Sequence, residues 1–194
     1  MIEKYYNGVI EQVAGGIGNV EHNSILVRYS NDFSIWDLES VNHYKDQTDI
    51  FFTCHEFSYN KIAEAYEPYL GLIRQMFHKY CSGTLEEFME ECDVYKLQRP
   101  VFESYFEKGF CERTEQILID EVEYEQERMR NSIVTMLQKL SEIRPVVIVL
   151  NRFQLASKST MQLSNSLLQV KNKNIGIVLG AVSYTHLTLP TKRI

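Results

Sequence analysis

Short runs of apolar residues recur along the chain, and longer stretches with helical periodicity separate them. Four runs carry the β-branched or aromatic bias of buried strands: Ile25–Tyr29, Ile50–Cys54, Val146–Leu150 and Ile175–Ala181. Strands that are apolar on both faces are typical of a parallel sheet that helices cover on both sides. The pattern therefore predicts an α/β fold.

The most regular helical pattern lies between Glu112 and Ile143, where apolar residues recur every three or four positions. The apolar stripe comprises Leu118, Val122, Met129, Ile133, Met136, Leu137 and Leu140. We expect this helix to end before Pro145, because proline disfavours helical geometry in the preceding residue. A helical insertion of roughly ninety residues thus separates the second strand from the third.

Capping residues and prolines predict where shorter helices begin. Thr84–Glu87 fits a capping box, in which the Thr and Glu side chains each accept a hydrogen bond from the other residue's backbone N–H. Pro68 and Pro100 suit the first turn of two further helices. Either Ser157 or Ser159 can cap the helix that follows the third strand.

Composition and charge exclude several classes of function. The formal net charge is −6 and no basic stripe occurs, which argues against nucleic acid as a partner. No apolar run approaches the roughly 20 residues that span a bilayer, and no export leader is evident, so we expect a cytoplasmic protein without a membrane partner. The cysteines form no C-x-x-C pair, which favours reduced thiols over a zinc site.

The last twelve residues, Ser183–Ile194 (SYTHLTLPTKRI), resemble translated sequencing-adapter read-through. We interpret them as a non-native tail, with a genuine β-prone tail as the alternative. On the first interpretation the natural protein continues beyond about Val182. A chain interrupted there should aggregate or expose an apolar patch beside Ile177 and Leu179, because an uncovered edge strand presents unpaired backbone groups.

A family resemblance rests on Arg144–Ala181, which contains the segment RPVVIVLNRFQLASKS. This segment resembles the metal-site strand and following helix of STAND-type regulatory ATPases, relatives of the AAA family, with Gln154, Ala156 and Ser159 near their expected places. Cys54–Phe77 also resembles that family. The resemblance implies a phosphate-loop (P-loop) NTPase-like domain over residues 1–182, truncated at its C-terminus. It is closest to N-terminal domains of large bacterial tetratricopeptide-repeat signalling proteins, which often end in a diguanylate cyclase domain.

The same resemblance implies an order for the strands. We expect Ile25–Tyr29 to lie centrally, flanked on one side by Val146–Leu150, with Ile50–Cys54 beyond that strand. Ile175–Ala181 should also be parallel to them.

The residues that bind phosphate in such a domain are missing. A phosphate loop needs glycines, whose backbone N–H groups wrap the phosphates, and a Lys that neutralises them. The corresponding stretch, Ser30–Asp37, has neither Gly nor Lys, and it contributes two aspartates. Gly15–Asn19 is glycine-rich but precedes the first strand, so we interpret it as a turn. The positions of this degenerate cofactor-binding site are Ser30, Asn31, Asp32, Phe33, Ser34 and Asn151.

A second defect concerns the metal. Where the family places an acidic pair that holds magnesium, this chain has Asn151 and Arg152. Asn is a neutral ligand and Arg repels a cation. The adjacent His55 and Glu56 suit either an acid–base pair or a hydrogen-bonding pair at a strand end, and the lack of a visible nucleophile favours the second interpretation.

The leading hypothesis is therefore a non-catalytic, NTPase-like regulatory module without a cofactor, whose partners are later domains of the same protein. The alternative is an ATP-binding, STAND-type molecular switch with an unorthodox phosphate loop. Only that alternative requires ATP and magnesium. A structural adaptor unrelated to NTPases is a third possibility.

Overall fold

The computed structural model describes residues 2–19, 23–29, 49–61, 63–108 and 122–182. The described helices are α1 (Ile2–Gly15), α2 (Glu67–Tyr80), α3 (Leu85–Glu91), α4 (Arg99–Lys108), α5 (Val122–Ile143) and α6 (Lys158–Val170). The chain divides into two compact units, Met1–Ala65 with Arg144–Ile194, and Tyr66–Ile143. The assignment of residues 1–182 to one NTPase-like domain stays a prediction, and the tail 183–194 lies outside the described residues.

A four-stranded parallel sheet forms the centre of the first unit. Its strands are β1 (Ser24–Tyr29), β2 (Phe51–Glu56), β3 (Val146–Asn151) and β4 (Ile175–Val182), in the spatial order β1-β4-β3-β2. Each neighbouring pair is parallel. The predicted α/β class and parallel sheet are therefore confirmed, and so is the place of the second strand beyond the third.

The predicted central position of the first strand is wrong. β1 is the outermost described strand on its side of the sheet, and its neighbour is β4, so that Ile25 pairs with Val178. β4 lies between β1 and β3. Hydrophobic periodicity identifies buried strands but carries no information about which of them are neighbours.

The predicted exposure of an apolar patch beside Ile177 and Leu179 is also wrong, whereas the other predicted outcome, aggregation, stays a prediction. All eight residues of β4 are buried, and Ile177 and Leu179 are each only 1% exposed. β4 is also not an edge strand, because it pairs on both sides, with β1 and with β3.

Helix α1 contacts β1 and β4 and lies outside the helices predicted from the sequence. Its residues Val9, Ile10 and Val13 are buried in a cluster with side chains from all four strands. The strand members of this cluster are Val27, Phe52, Val147, Val149 and Val178. Val9, Ile10 and Val13 lie on one face of the helix, because residues spaced three or four positions apart share a helix face.

Helices α2 to α5 form the second unit. Pro68 lies in the first turn of α2, and Pro100 is the second residue of α4, as predicted. Helix α5 ends at Ile143, before Pro145, which confirms the predicted end; the predicted start at Glu112 lies outside the described residues. Helices α2 and α5 contact each other. Their buried residues include Leu72, Ile73, Met76 and Phe77 of α2 and Ile133, Met136, Leu137 and Leu140 of α5.

The predicted capping box is present at the start of α3. The Thr84 Oγ1 atom accepts a hydrogen bond from the Glu87 backbone N–H (3.2 Å), and the Thr84 backbone N–H donates to Glu87 Oε2 (2.9 Å). These hydrogen bonds hold the pKa of the Glu87 carboxyl below its ordinary value of 4.5, with the backbone N–H of Thr84 as the largest cause.

We expect the capping box to make stability depend on pH. The folded pKa of Glu87 lies below the unfolded value, so its carboxylate stabilises the fold above that unfolded value, and the contribution is lost as pH falls through the folded pKa. Urea unfolding should show Glu87→Gln less stable than the original chain at pH 7, with a difference in unfolding free energy that narrows below about pH 4.5. Glu86→Gln, one residue earlier and exposed, is the control. A gap as wide at pH 3 as at pH 7 would contradict this prediction.

The described cysteines Cys54, Cys81 and Cys92 form no disulfide bond, and Cys111 lies outside the described residues. Burial raises the pKa of the Cys92 thiol to about 12, so it stays protonated at neutral pH. Among the helices that the structure describes, none combines the length and apolar character needed to cross a membrane.

Candidate site at the carboxyl ends of the strands

The ends of β2 and β3 bring polar residues together at one edge of the sheet. The register pairs Glu56 with Asn151, the last residues of the two strands, and Arg152 follows at once. Open parallel sheets bind ligands outside the carboxyl ends of their strands. This edge is therefore the candidate site, and it includes Asn151, the one predicted site residue that the structure describes.

Asn151 is fully buried and links the two strands. Its side-chain Nδ2 donates to Cys54 Sγ at 3.8 Å, and its backbone oxygen accepts from the Phe57 N–H at 3.1 Å. A neutral amide suits this buried position, because a buried carboxylate without a cation would carry a large desolvation penalty.

Arg152 forms an ion pair with Glu56 across the same edge. Its Nη1 lies 3.1 Å from Glu56 Oε1, and the two side chains are 24% and 39% exposed. The backbone of Arg152 has φ of 52°, a left-handed conformation that is uncommon for a residue other than glycine. This residue connects β3 to a short 3-10 helix, Phe153–Leu155.

Gln154 connects this turn to the end of β4. Its Oε1 accepts a hydrogen bond from the Val182 backbone N–H at 3.3 Å. Two residues after the 3-10 helix, Ser157 caps α6: its Oγ accepts a hydrogen bond from the Thr160 backbone N–H at 3.2 Å. Of the two predicted caps, the structure thus assigns this role to Ser157.

The ion pair determines the chemistry that this edge can support. A divalent metal prefers several carboxylate oxygens, but here Glu56 is neutralised by Arg152 and the neighbouring Asn151 is uncharged. Over the residues that the structure describes, no group of three or more His, Cys, Asp or Glu side chains is arranged to hold a metal ion. The edge is organised by contacts between its own side chains.

His55 does not share the environment of Glu56. Successive residues of a strand point to opposite faces, and the His55 ring contacts the Phe57 ring at 4.6 Å between centroids. Glu56 pairs with Arg152 instead. The two residues are neighbours in sequence, but the ring contact of His55 and the ion pair of Glu56 involve different side chains.

The predicted phosphate-loop positions Ser30, Asn31, Asp32, Phe33 and Ser34 lie outside the described residues. The glycine-rich stretch is described, and it forms the turn after α1 that the sequence predicts. The Gly16 N–H donates to Gln12 and Val13, and Gly18, with φ of 93°, donates to the Lys173 carbonyl at 2.7 Å. A left-handed φ at this position favours glycine.

The sequence did not reveal the pairing of Glu56 with Arg152 or the bond from Gln154 to Val182. A Glu at a strand end and an Arg after another strand are common on protein surfaces. The Glu and the Arg come close enough to form an ion pair only because β2 and β3 are neighbours in the sheet.

Comparison of the chain with protein-family models, with curated proteins and with solved structures finds no match.

Proposed function

We propose that this chain is a non-catalytic, NTPase-like regulatory module of a multidomain bacterial signalling protein. It acts through packing and interaction surfaces on later domains of the same protein, such as a diguanylate cyclase. The STAND-like sequence pattern of Arg144–Ala181 is the origin of this proposal, and the parallel sheet with β2 beyond β3 is compatible with it.

The observation that carries the proposal is the composition of the edge at the end of β3. Where a working site needs carboxylates for magnesium, Asn151 is buried against Cys54 and the Arg152 guanidinium is paired with Glu56. A positive guanidinium next to the metal position opposes a divalent cation. In this proposal the module keeps an NTPase-like scaffold and uses this edge to join β2 to β3.

The alternative function, an ATP-binding STAND-type switch, requires residues 30–34 and Asn151 to hold a nucleotide without a Lys or a glycine-rich loop. It predicts magnesium-dependent ATP binding in the micromolar range. The two functions therefore differ in a directly measurable property.

We expect neither the original chain nor Asn151→Asp to bind ATP tightly or to hydrolyse it. The substitution adds one carboxylate at the end of β3, but Arg152 remains beside it and no Lys holds the triphosphate. The measurement is a titration with a fluorescent ATP analogue with and without magnesium, together with an assay of released phosphate.

The matched control is Asn131→Asp, the same change at an exposed position of α5. Micromolar, magnesium-dependent binding by the original chain would overturn the non-catalytic proposal and support the switch. Turnover in Asn151→Asp, but not in Asn131→Asp, would show that Ser30–Asp37 binds phosphate.

A further inference from the structure

The outer edge of β1 is an open hydrogen-bonding edge of the sheet. β1 is outermost in the order β1-β4-β3-β2, and it pairs with β4 alone among the strands that the structure describes. Strands β3 and β4 pair on both sides, and every residue of each is buried. In β1, by contrast, Ile25 and Leu26 are only half-buried, and Arg28 is exposed. The far side of β1 therefore presents backbone groups that can pair with another strand.

The register shows which backbone groups of β1 point outward. Ser24 pairs with Ile177, and the Ile177 N–H donates to the Asn23 carbonyl at 3.0 Å. In a parallel ladder this bond directs the backbone groups of the odd-numbered β1 residues toward β4, because successive residues of a strand alternate in direction. The N–H and C=O groups of Ser24, Leu26 and Arg28 thus point away from β4.

β1 lacks the protective features that an edge strand can carry in its own residues. Such features are proline, several charges, a β-bulge or a very short length. The strand Ser24–Tyr29 (SILVRY) contains no proline and a single charged residue, Arg28. All of its residues pair in register with β4, so no bulge interrupts it. Val27 is buried in the core cluster and Ile25 packs against it, which holds the strand in place for pairing.

A second copy of β1 complements this edge in hydrogen bonding and in charge. In antiparallel pairing with a twofold axis at Leu26, this residue lies opposite its symmetry mate and Ser24 lies opposite Arg28. Every outward-pointing residue then exchanges hydrogen bonds in both directions with the residue opposite. The two Arg28 side chains stand four residues apart along the strands, about 14 Å, which exceeds the Debye length of about 8 Å. A register with Arg28 opposite itself would bring like charges together.

We propose that the outer edge of β1 is an interface between two copies of this chain, which pair antiparallel about a twofold axis at Leu26. The dimer contains one continuous sheet with β1 and its symmetry mate at the centre. Because both copies use the same edge, the interface closes and leaves no second β1 edge open. This inference goes beyond the proposed function, which rests on the ends of β2 and β3.

Amide hydrogen exchange of the full chain, measured by NMR at low and at high protein concentration, tests the interface residue by residue. The N–H groups of Ile25 and Val27 face β4, so they should be protected at both concentrations. The N–H groups of Ser24, Leu26 and Arg28 should exchange rapidly at low concentration and become protected as the dimer forms. Sedimentation equilibrium over the same concentrations measures the mass of the species.

Paired charge substitutions test the register. Ser24→Lys places a lysine opposite Arg28 of the partner subunit, and it should weaken dimerisation by about fivefold because like charges directly opposite are unfavourable. Ser24→Lys combined with Arg28→Glu turns each contact into an opposite-charge pair and should restore the dimer. Ser82→Lys, the same change at an exposed position of the second unit, is the control.

Leu26→Pro tests the backbone contribution. Proline removes an outward-pointing N–H but no hydrogen bond between β1 and β4, and proline is tolerated on the open side of an edge strand. We expect a monomer that still unfolds cooperatively in urea.

Three results would overturn the proposal. The first is a chain that stays monomeric at millimolar concentration or assembles beyond a dimer. The second is a monomer in which the amides of Ser24, Leu26 and Arg28 are protected at every concentration, which would show that another segment of the same chain occupies the edge. The third is a dimer that Ser24→Lys does not weaken, or that the added Arg28→Glu does not restore, which would place the interface elsewhere.

Discussion

Gly176→Ala is expected to destabilise the protein by about 1–3 kcal/mol, because it overpacks the contact between α1 and β4. A Cβ atom at position 176 would lie 2.6 Å from Val13 Cγ1, and 3.1 Å from both the Asn23 carbonyl oxygen and Val147 Cγ2. Val13 is a β-branched residue with little rotamer freedom, and the Asn23 atom belongs to the backbone. A simple rotation of the Val13 side chain therefore cannot make room for the added methyl group. Urea unfolding at constant pH measures the change.

Gly8→Ala is the matched control for this prediction. Gly8 lies within α1 and has no atom within 4 Å of the place where its Cβ would be. Alanine in a helix interior is more favourable than glycine by up to about 1 kcal/mol, so this variant should be stabilised. In a Val13→Ala background, Gly176→Ala should cost less than in the original chain. An unchanged cost would show that the contact with Val13 is not the cause.

Asn23→Asp is expected to destabilise the protein by about 3–5 kcal/mol at neutral pH, the cost of an uncompensated buried charge. Asn23 is 5% exposed, and its Nδ2 donates to the Asn172 carbonyl at 2.6 Å and to the Ile175 carbonyl at 2.9 Å. These bonds join the start of β1 to the start of β4. A carboxylate would place negative oxygen against two carbonyl oxygens.

The penalty in Asn23→Asp should depend on pH in a defined direction. Burial favours the protonated acid, so the introduced carboxyl titrates higher in the folded state than its unfolded value of about 3.9. The loss of stability that the charge causes is complete when pH lies above the folded-state pKa of the introduced carboxyl. It disappears as pH falls below the unfolded-state pKa. Asn23→Ala, which removes the donor without adding charge, should cost about 1–3 kcal/mol at every pH. Parallel curves for the two variants between pH 7 and pH 4 would contradict this explanation.

Local features of the fold were predictable because they depend on residues close together in sequence. The capping box at Thr84, the end of α5 before Pro145 and the turn at Gly16–Gly18 each involve hydrogen bonds or steric limits within a few residues. The buried strands were equally predictable from the sequence, because their runs of apolar residues are too short for helices and rich in β-branched side chains. Helix α1 has an apolar period similar to that of the other helices, but no capping residue marks its start, and the sequence analysis did not predict it.

The candidate site was predictable only in part. Asn151 is the last residue of a buried strand, and the sequence pattern therefore placed it at the carboxyl edge of the sheet. Its partner atom, Cys54 Sγ, lies 97 positions away in sequence. The phosphate-loop positions 30–34 lie outside the described residues, so their prediction stays untested.

The sequence by itself determined the α/β class, the four buried strands, the starts of α2, α3, α4 and α6 and the end of α5, since periodicity and capping act over one or two turns of chain. Only the tertiary structure decided that β4 lies between β1 and β3 and that Arg152 pairs with Glu56. The physical reason is that buried apolar strands are nearly interchangeable in the energy of burial. Their neighbours are selected by specific long-range contacts, such as the close packing of Val13 on Gly176 and the bonds from Asn23 to the start of β4.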